Sequence, residues 1–155
     1  MKVSGSYTLA VEQQRAYRLL QDPDVLGRSM PGCDRLARIG EDEYEMKMKM
    51  VISSISGLFD GKVRIRDQNF PDRFRLIVEG SGKIGFMKGD GLLTLAPSGT
   101  STEVRYEGDV QVGGVIAGVG QRLLDTTAKF IIRKFFEKLS TLIAEQNPAE
   151  ASSAD

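Results

Sequence analysis

The chain has 155 residues, 41% hydrophobic and 27% charged, which is the size and balance of one soluble globular domain. Lys plus Arg and Asp plus Glu each number 21, so no net field steers a polyanion, and nucleic acid is excluded as an expected partner. With no histidine and one cysteine, Cys33, a His base, a Cys–His nucleophile pair, a His/Cys zinc site and an intrachain disulfide all drop out.

The N-terminal MKVSGSYTLA has no apolar core of signal-peptide length, and no stretch reaches the roughly 20 apolar residues of a transmembrane helix. A cytoplasmic protein is expected, with any membrane contact peripheral. Val3 to Ala10 reads as a first strand, and VEQQRAYRLLQD as a helix with Val11, Tyr17, Leu19 and Leu20 available for burial. DPDVLGRSMPG, with Pro23 and Pro31, predicts a second short helix or turn flanked by loops.

EYEMKMKMVIS carries the clearest period of two: Tyr44, Met46, Met48, Met50 and Ile52 on one face, Glu45, Lys47 and Lys49 on the other. LFDGKVRIRD continues it with Phe59, Gly61, Val63 and Ile65 inside. DRFRLIVEG does so with Phe74, Leu76 and Val78, and STEVRYEGDVQV with Val104, Tyr106, Gly108, Val110 and Val112. One dry and one wet face predict an antiparallel sheet covered on one side. Within EGSGKIGFMKGDGLLTL, Gly80, Gly82, Gly85, Gly89 and Gly91 interrupt the pattern, giving curvature, space for a ligand, or both.

In VGGVIAGVGQRLL, Gly113 and Gly118 have phosphate-loop spacing, but Val119 and Gly120 stand where Lys and Ser or Thr are needed. Gly113, Gly114, Gly118 and Gly120 are therefore expected to form a strand-to-helix hinge beside a cavity mouth. Beyond Gly120, Leu124, Ala128, Ile131, Phe135, Leu139 and Leu142 recur at helical spacing. The helix is expected to run to about Gln146, with Pro148 ending it and a small, polar, acidic tail reading as disordered.

These elements predict an α+β helix-grip fold over residues 1–146, with a disordered tail at 147–155. About seven antiparallel strands wrap a long C-terminal helix, and two short helices follow strand 1. The gap between sheet and helix is the expected ligand site. Its expected lining is Tyr44, Met46, Met48, Met50, Phe59, Val63, Phe74, Leu76, Phe86, Leu93, Tyr106, Leu124, Ile131 and Phe135. The methionines suit an adaptable apolar pocket, and Tyr44 and Tyr106 are its candidate hydrogen-bonding groups. Phe130, Arg133 and Lys134 lie off the main stripe and form a candidate partner or membrane surface. No catalytic residue and no metal ligand is assigned.

The segments LQDPDVLGRSMPGCDRL, SGLFDGKVRIRD, GSGKIGFMKGDGLLTL and YEGDVQVGGVIAGVGQRLLDTTAKFIIRKFFEKL resemble the carbon monoxide dehydrogenase G-subunit family over nearly the whole chain. That family belongs to the START-like, polyketide cyclase-like helix-grip superfamily. The resemblance implies a non-catalytic accessory protein assisting a molybdenum-containing dehydrogenase at the cytoplasmic membrane, with a quinone or isoprenoid lipid as ligand. Pro31, Gly32, Cys33, Gly113, Gly114, Gly118, Gly120, Gln121 and Arg122 match the family pattern. Many relatives continue into a linker and C-terminal anchor, so for these residues the resemblance implies transient membrane contact. Two other readings stay open: a cyclase or hydratase with a buried carboxylate or tyrosine as acid–base group, and a docking or maturation factor without a cavity.

Overall fold

A computed structural model describes residues 1–146, so the expected tail at 147–155 lies outside the described residues. The elements run β1 (Lys2–Leu9), α1 (Gln13–Leu19), α2 (Pro23–Ser29), β2 (Cys33–Gly40), β3 (Glu43–Ile52), β4 (Ile55–Asn69), β5 (Arg73–Gly82), β6 (Gly85–Ser98), β7 (Ser101–Gly113), a 3₁₀ turn at Val115–Val119, and α3 (Gln121–Gln146). The strands form one antiparallel sheet in the order β1-β7-β6-β5-β4-β3-β2, open at both edges. This is the expected α+β helix-grip architecture, with α3 lying across the inner face.

Burial follows the period of two along β3: Tyr44, Met46, Met48, Met50 and Ile52 are buried and their neighbours are not. Phe59, Gly61, Val63 and Ile65 continue that face on β4. A flat strand of β4's 15 residues would run about 50 Å, so the sheet must bend to keep its inner face covered. Register shifts between Cys33 and Leu36, Arg38 and Gly40, and Arg66 and Asn69 mark bulges that add twist. β2 is the strand that alternation leaves unmarked, since these bulges break its register with β3. The outer face carries cross-strand ion pairs, with Arg64 between Glu43 and Glu79 and Arg75 between Asp67 and Asp90.

At the head of α2, the Asp22 carboxylate accepts from the Asp24 and Val25 amides at 2.9 and 3.3 Å, and Pro23 opens the first turn. This short helix packs on β2 and α3 and sends Leu26 inward. On α3 the buried positions are Leu124, Phe136, Leu139 and Ile143, whereas Ile131, Phe135 and Leu142 are half-buried. The buried stripe is thus rotated by one residue from the expected one. Phe136 sets that rotation: its ring stacks on Tyr7 (centroids 4.4 Å apart, 11° between planes) and lies 6.1 Å from Tyr106.

The expected glycine hinge resolves into distinct roles. Gly114 (φ 81°, ψ −156°) and Gly120 (φ 97°, ψ 155°) flank the 3₁₀ turn in a backbone region essentially reserved for glycine. A Cβ on Gly114 would also sit 2.6 Å from the Gly85 Cα, and one on Gly113 would collide with the Phe86 ring. Gly118 has open space around it and no left-handed backbone, so it is not a steric hinge. Gly114→Ala should therefore cost about 2 kcal/mol or more, whereas Gly118→Ala should leave stability nearly unchanged, as thermal unfolding of the two variants would measure.

Candidate functional site

Between the inner sheet face and α3 lies a cavity of about 240 Å³. Met46, Met48 and Met50 of β3 and Phe59 and Val63 of β4 form one wall. Leu76 and Val78 of β5, Met87 and Leu93 of β6 and Tyr106 of β7 form its floor, and Ile131, Ile132, Phe135 and Phe136 of α3 its roof. Leu26 and Met30 of α2 close the side next to β2, where Leu36 also contributes. The wall is almost wholly apolar.

Part of the space is left by missing side chains, at Gly80, Gly89 and Gly91. Gly61 pairs with Gly80 across β4 and β5, and Gly91 with Gly108 across β6 and β7; all four border the cavity together with Gly89. A Cβ on Gly91 would meet nothing nearer than the Glu107 carbonyl oxygen at 3.7 Å. Gly82 and Gly85 by contrast leave no room for a Cβ against neighbouring backbone, so close packing requires glycine there, as it does at Gly61 and Gly108.

Of the residues expected at the lining, Met46, Met48, Met50, Phe59, Val63, Leu76, Leu93, Tyr106, Ile131 and Phe135 come together there. Tyr44, Phe74, Phe86 and Leu124 do not. Phe74 is fully buried beneath α1, edge-on to Tyr17 with centroids 5.5 Å apart. Tyr44 lies in the core beside Val63, and Leu124 is buried in the first turn of α3. Phe86 faces outward and is 52% exposed, because Met87 takes the inner position. Gly113, Gly114, Gly118 and Gly120 do not border the cavity either, so they form a connection and not its mouth. Leu26, Met30, Leu36 and Ile132 join the lining without a sequence signal. α2 supplies the first two, and no alternation signals a helix folded over a sheet edge.

Tyr106 borders the cavity, and its hydroxyl end lies over Gly5 of β1. It pairs with Gly5 across β1 and β7, and its ring occupies the room that the absent Gly5 side chain leaves. The hydroxyl has no hydrogen-bond partner among the described residues. Burial, then the neighbouring Tyr7, raises its pKa above the usual tyrosine value, so it stays a neutral donor. Glu79, Asp90, Glu107 and Asp109 border the cavity only where glycine neighbours bare the backbone. Their side chains belong to the outer face: Glu79 accepts from Arg64 Nη1, Asp90 accepts from Arg75 Nη1 at 2.7 Å, and Glu107 and Asp109 are exposed. Among the described residues no three Cys, Asp or Glu side chains gather as a metal site.

On the solvent side of α3, Phe130 is 46% exposed. The Arg133 guanidinium and Lys134 ammonium lie 5.6 and 5.8 Å from its ring centroid. Both cations also reach Glu137, at 3.8 and 3.2 Å, so this expected partner surface is partly neutralised from within. No described helix is long and apolar enough to cross a membrane.

No curated protein matches the sequence. A conserved protein from Geobacillus kaustophilus of known crystal structure is 32% identical with a TM-score of 0.89, over 94% of this chain and 96% of that one. A START superfamily protein from Mycobacterium smegmatis shares 13% identity with a TM-score of 0.72, over 94% and 98% of the two chains. The di-domain ARO/CYC protein BexL of the BE-7585A biosynthetic pathway shares 14% identity with a TM-score of 0.64, over 91% of this chain and 45% of that one. The latter two likenesses establish the fold alone. Residues 5–144 match the model of the carbon monoxide dehydrogenase G-subunit family, CoxG. The chain therefore belongs to the CoxG family.

Proposed function

We propose that this protein is a non-catalytic accessory domain that holds a quinone-like or isoprenoid lipid in the cavity beneath α3. In this reading it serves a molybdenum-containing dehydrogenase of the carbon monoxide dehydrogenase kind, at the inner face of the cell membrane. The observation that carries the proposal is an almost wholly apolar cavity with one unpartnered phenol, Tyr106, at its floor. Each Å² of apolar ligand surface removed from water contributes about 25 cal/mol. The Tyr106 hydroxyl would donate to a ring carbonyl and fix the orientation of the head group.

Size limits what is enclosed. At about 240 Å³ the cavity lies just below the range of drug-sized ligand pockets, roughly 300–1,000 Å³. It suits a ring and the start of a tail, with the remainder leaving between α2 and α3 past Met30 and Ile132. The family and the bare glycine floor support ligand carriage over a filled docking core. An acid–base enzyme needs an ionisable group aimed at the ligand with a pKa near working pH. Here the bordering carboxylates turn outward, and Tyr106 is displaced away from neutrality.

Native mass spectrometry of freshly purified protein, followed by titration with a soluble menaquinone analogue, should reveal bound lipid or saturable binding; finding neither overturns the reading. Tyr106→Phe should weaken the analogue about three- to tenfold, the net worth of one hydrogen bond, without loss of fold. Gly91→Leu should fill the cavity and abolish binding while the far-ultraviolet circular dichroism stays that of the parent.

A further inference from the structure

Large apolar side chains exposed among the described residues are not scattered evenly. Val51, Leu58, Phe86 and Val115, 60, 70, 52 and 61% exposed, gather at one end of the sheet, whereas Ile39, Phe70 and Phe130 stand apart. Hairpin β3–β4, hairpin β5–β6 and the 3₁₀ turn meet at that end. Leu58 faces Lys49 across β3 and β4, and Phe86 lies between Ser81 and Gly113. Ile84 fills the space over Gly57, and its carbonyl accepts from the Ile116 amide at 2.9 Å.

The charge around this end is basic. Lys49, Lys83 and Lys88 are exposed and enter no ion pair among the described residues, and the neighbouring Asp60 stands opposite Lys47. This differs from the α3 patch, whose cations share Glu137. Val51 and Phe86 are the outward-facing sequence neighbours of Met50 and Met87, which line the cavity on the opposite face of the sheet.

We propose that this hairpin end, and not the solvent face of α3, is the surface that docks on an anionic lipid bilayer. Apolar tips projecting among unpaired lysines match the layering of a membrane interface: the tips enter the acyl boundary while the lysines remain with the phosphates. Val51, Leu58 and Phe86 stand on the outer face of β3, β4 and β6 next to their hairpin turns, and Val115 stands on the 3₁₀ turn beside them. The proposal rests on the cavity reading and deepens it by naming the surface with which the ligand-holding domain meets the bilayer.

The chain contains no tryptophan, so single substitutions give a clean optical reporter. Leu58→Trp, Phe86→Trp and Phe130→Trp would each be mixed with vesicles of phosphatidylcholine alone or of equal parts phosphatidylcholine and phosphatidylglycerol. Blue-shifted emission, quenched by brominated acyl chains, is expected for the first two on the anionic vesicles and not for Phe130→Trp. In co-sedimentation, Leu58→Ser with Phe86→Ser should lower vesicle partitioning at least tenfold, and raised salt should lower it for the parent chain. No anionic-vesicle binding by the parent chain, or insertion reported from Phe130→Trp alone, overturns the proposal; the latter result would return the role to α3. Binding of the soluble menaquinone analogue, measured without vesicles, fails or succeeds separately, so loss of the cavity reading and loss of the docking reading are distinguishable.

Discussion

A single helix has to cover the inner face of a seven-stranded sheet, and it is too narrow to do so. Seven strands at their usual spacing span about 30 Å, against about 10–12 Å for a helix with its side chains. The mismatch organises the rest of the molecule. The sheet curls around α3 to reduce the uncovered width. Where it still falls short, α1 covers Phe74 near one end and α2 closes the β2 edge with Leu26 and Met30. Large aromatic groups span the distance beside β1 and β7, where Phe136 stacks on Tyr7 and approaches Tyr106. What remains unfilled is the cavity, floored in part by Gly80, Gly89 and Gly91, which offer no side chain to the helix.

Much of this could be read from the residues. The Met46, Met48 and Met50 stripe predicts a buried face because alternation has only two phases, and the lysine between successive methionines fixes which is wet. The α3 stripe is harder to read, because two adjacent phenylalanines, Phe135 and Phe136, satisfy a 3.6-residue period almost equally. The choice falls to Tyr7 on a strand more than a hundred residues away. Phe86 and Leu93 are seven positions apart, an odd step, so within one regular strand they cannot share a face. The glycines between them obscure that parity. Tyr44, Phe74 and Leu124 have the expected inward orientation yet miss the cavity. Alternation tells which side chains point inward, but only packing tells which of them another element reaches.

The same alternation separates the chemistry of the two faces. Moving a strand by one residue would turn Glu79, Asp90, Glu107 and Asp109 into the cavity and expel its lining. In register, these carboxylates stand outside, where Glu79 and Asp90 meet arginines, and the half-buried Tyr106 borders the apolar interior. Membership of the CoxG family thus coincides with an interior suited to recognising apolar shape.

The open edges of the sheet bear on how such an interior behaves mechanically. A closed barrel that widens must lengthen or break ladder hydrogen bonds around its whole circumference. This sheet ends at β1 on one side and β2 on the other, and no ladder joins them. Opening the grip therefore works mainly against side-chain contacts beneath α2 and α3, which are individually weak and re-form when the strain is released. The resting volume is a property of an unstretched spring. A guest larger than the cavity would be admitted by compliance, and the elastic return of sheet onto helix would supply part of the force that later expels it.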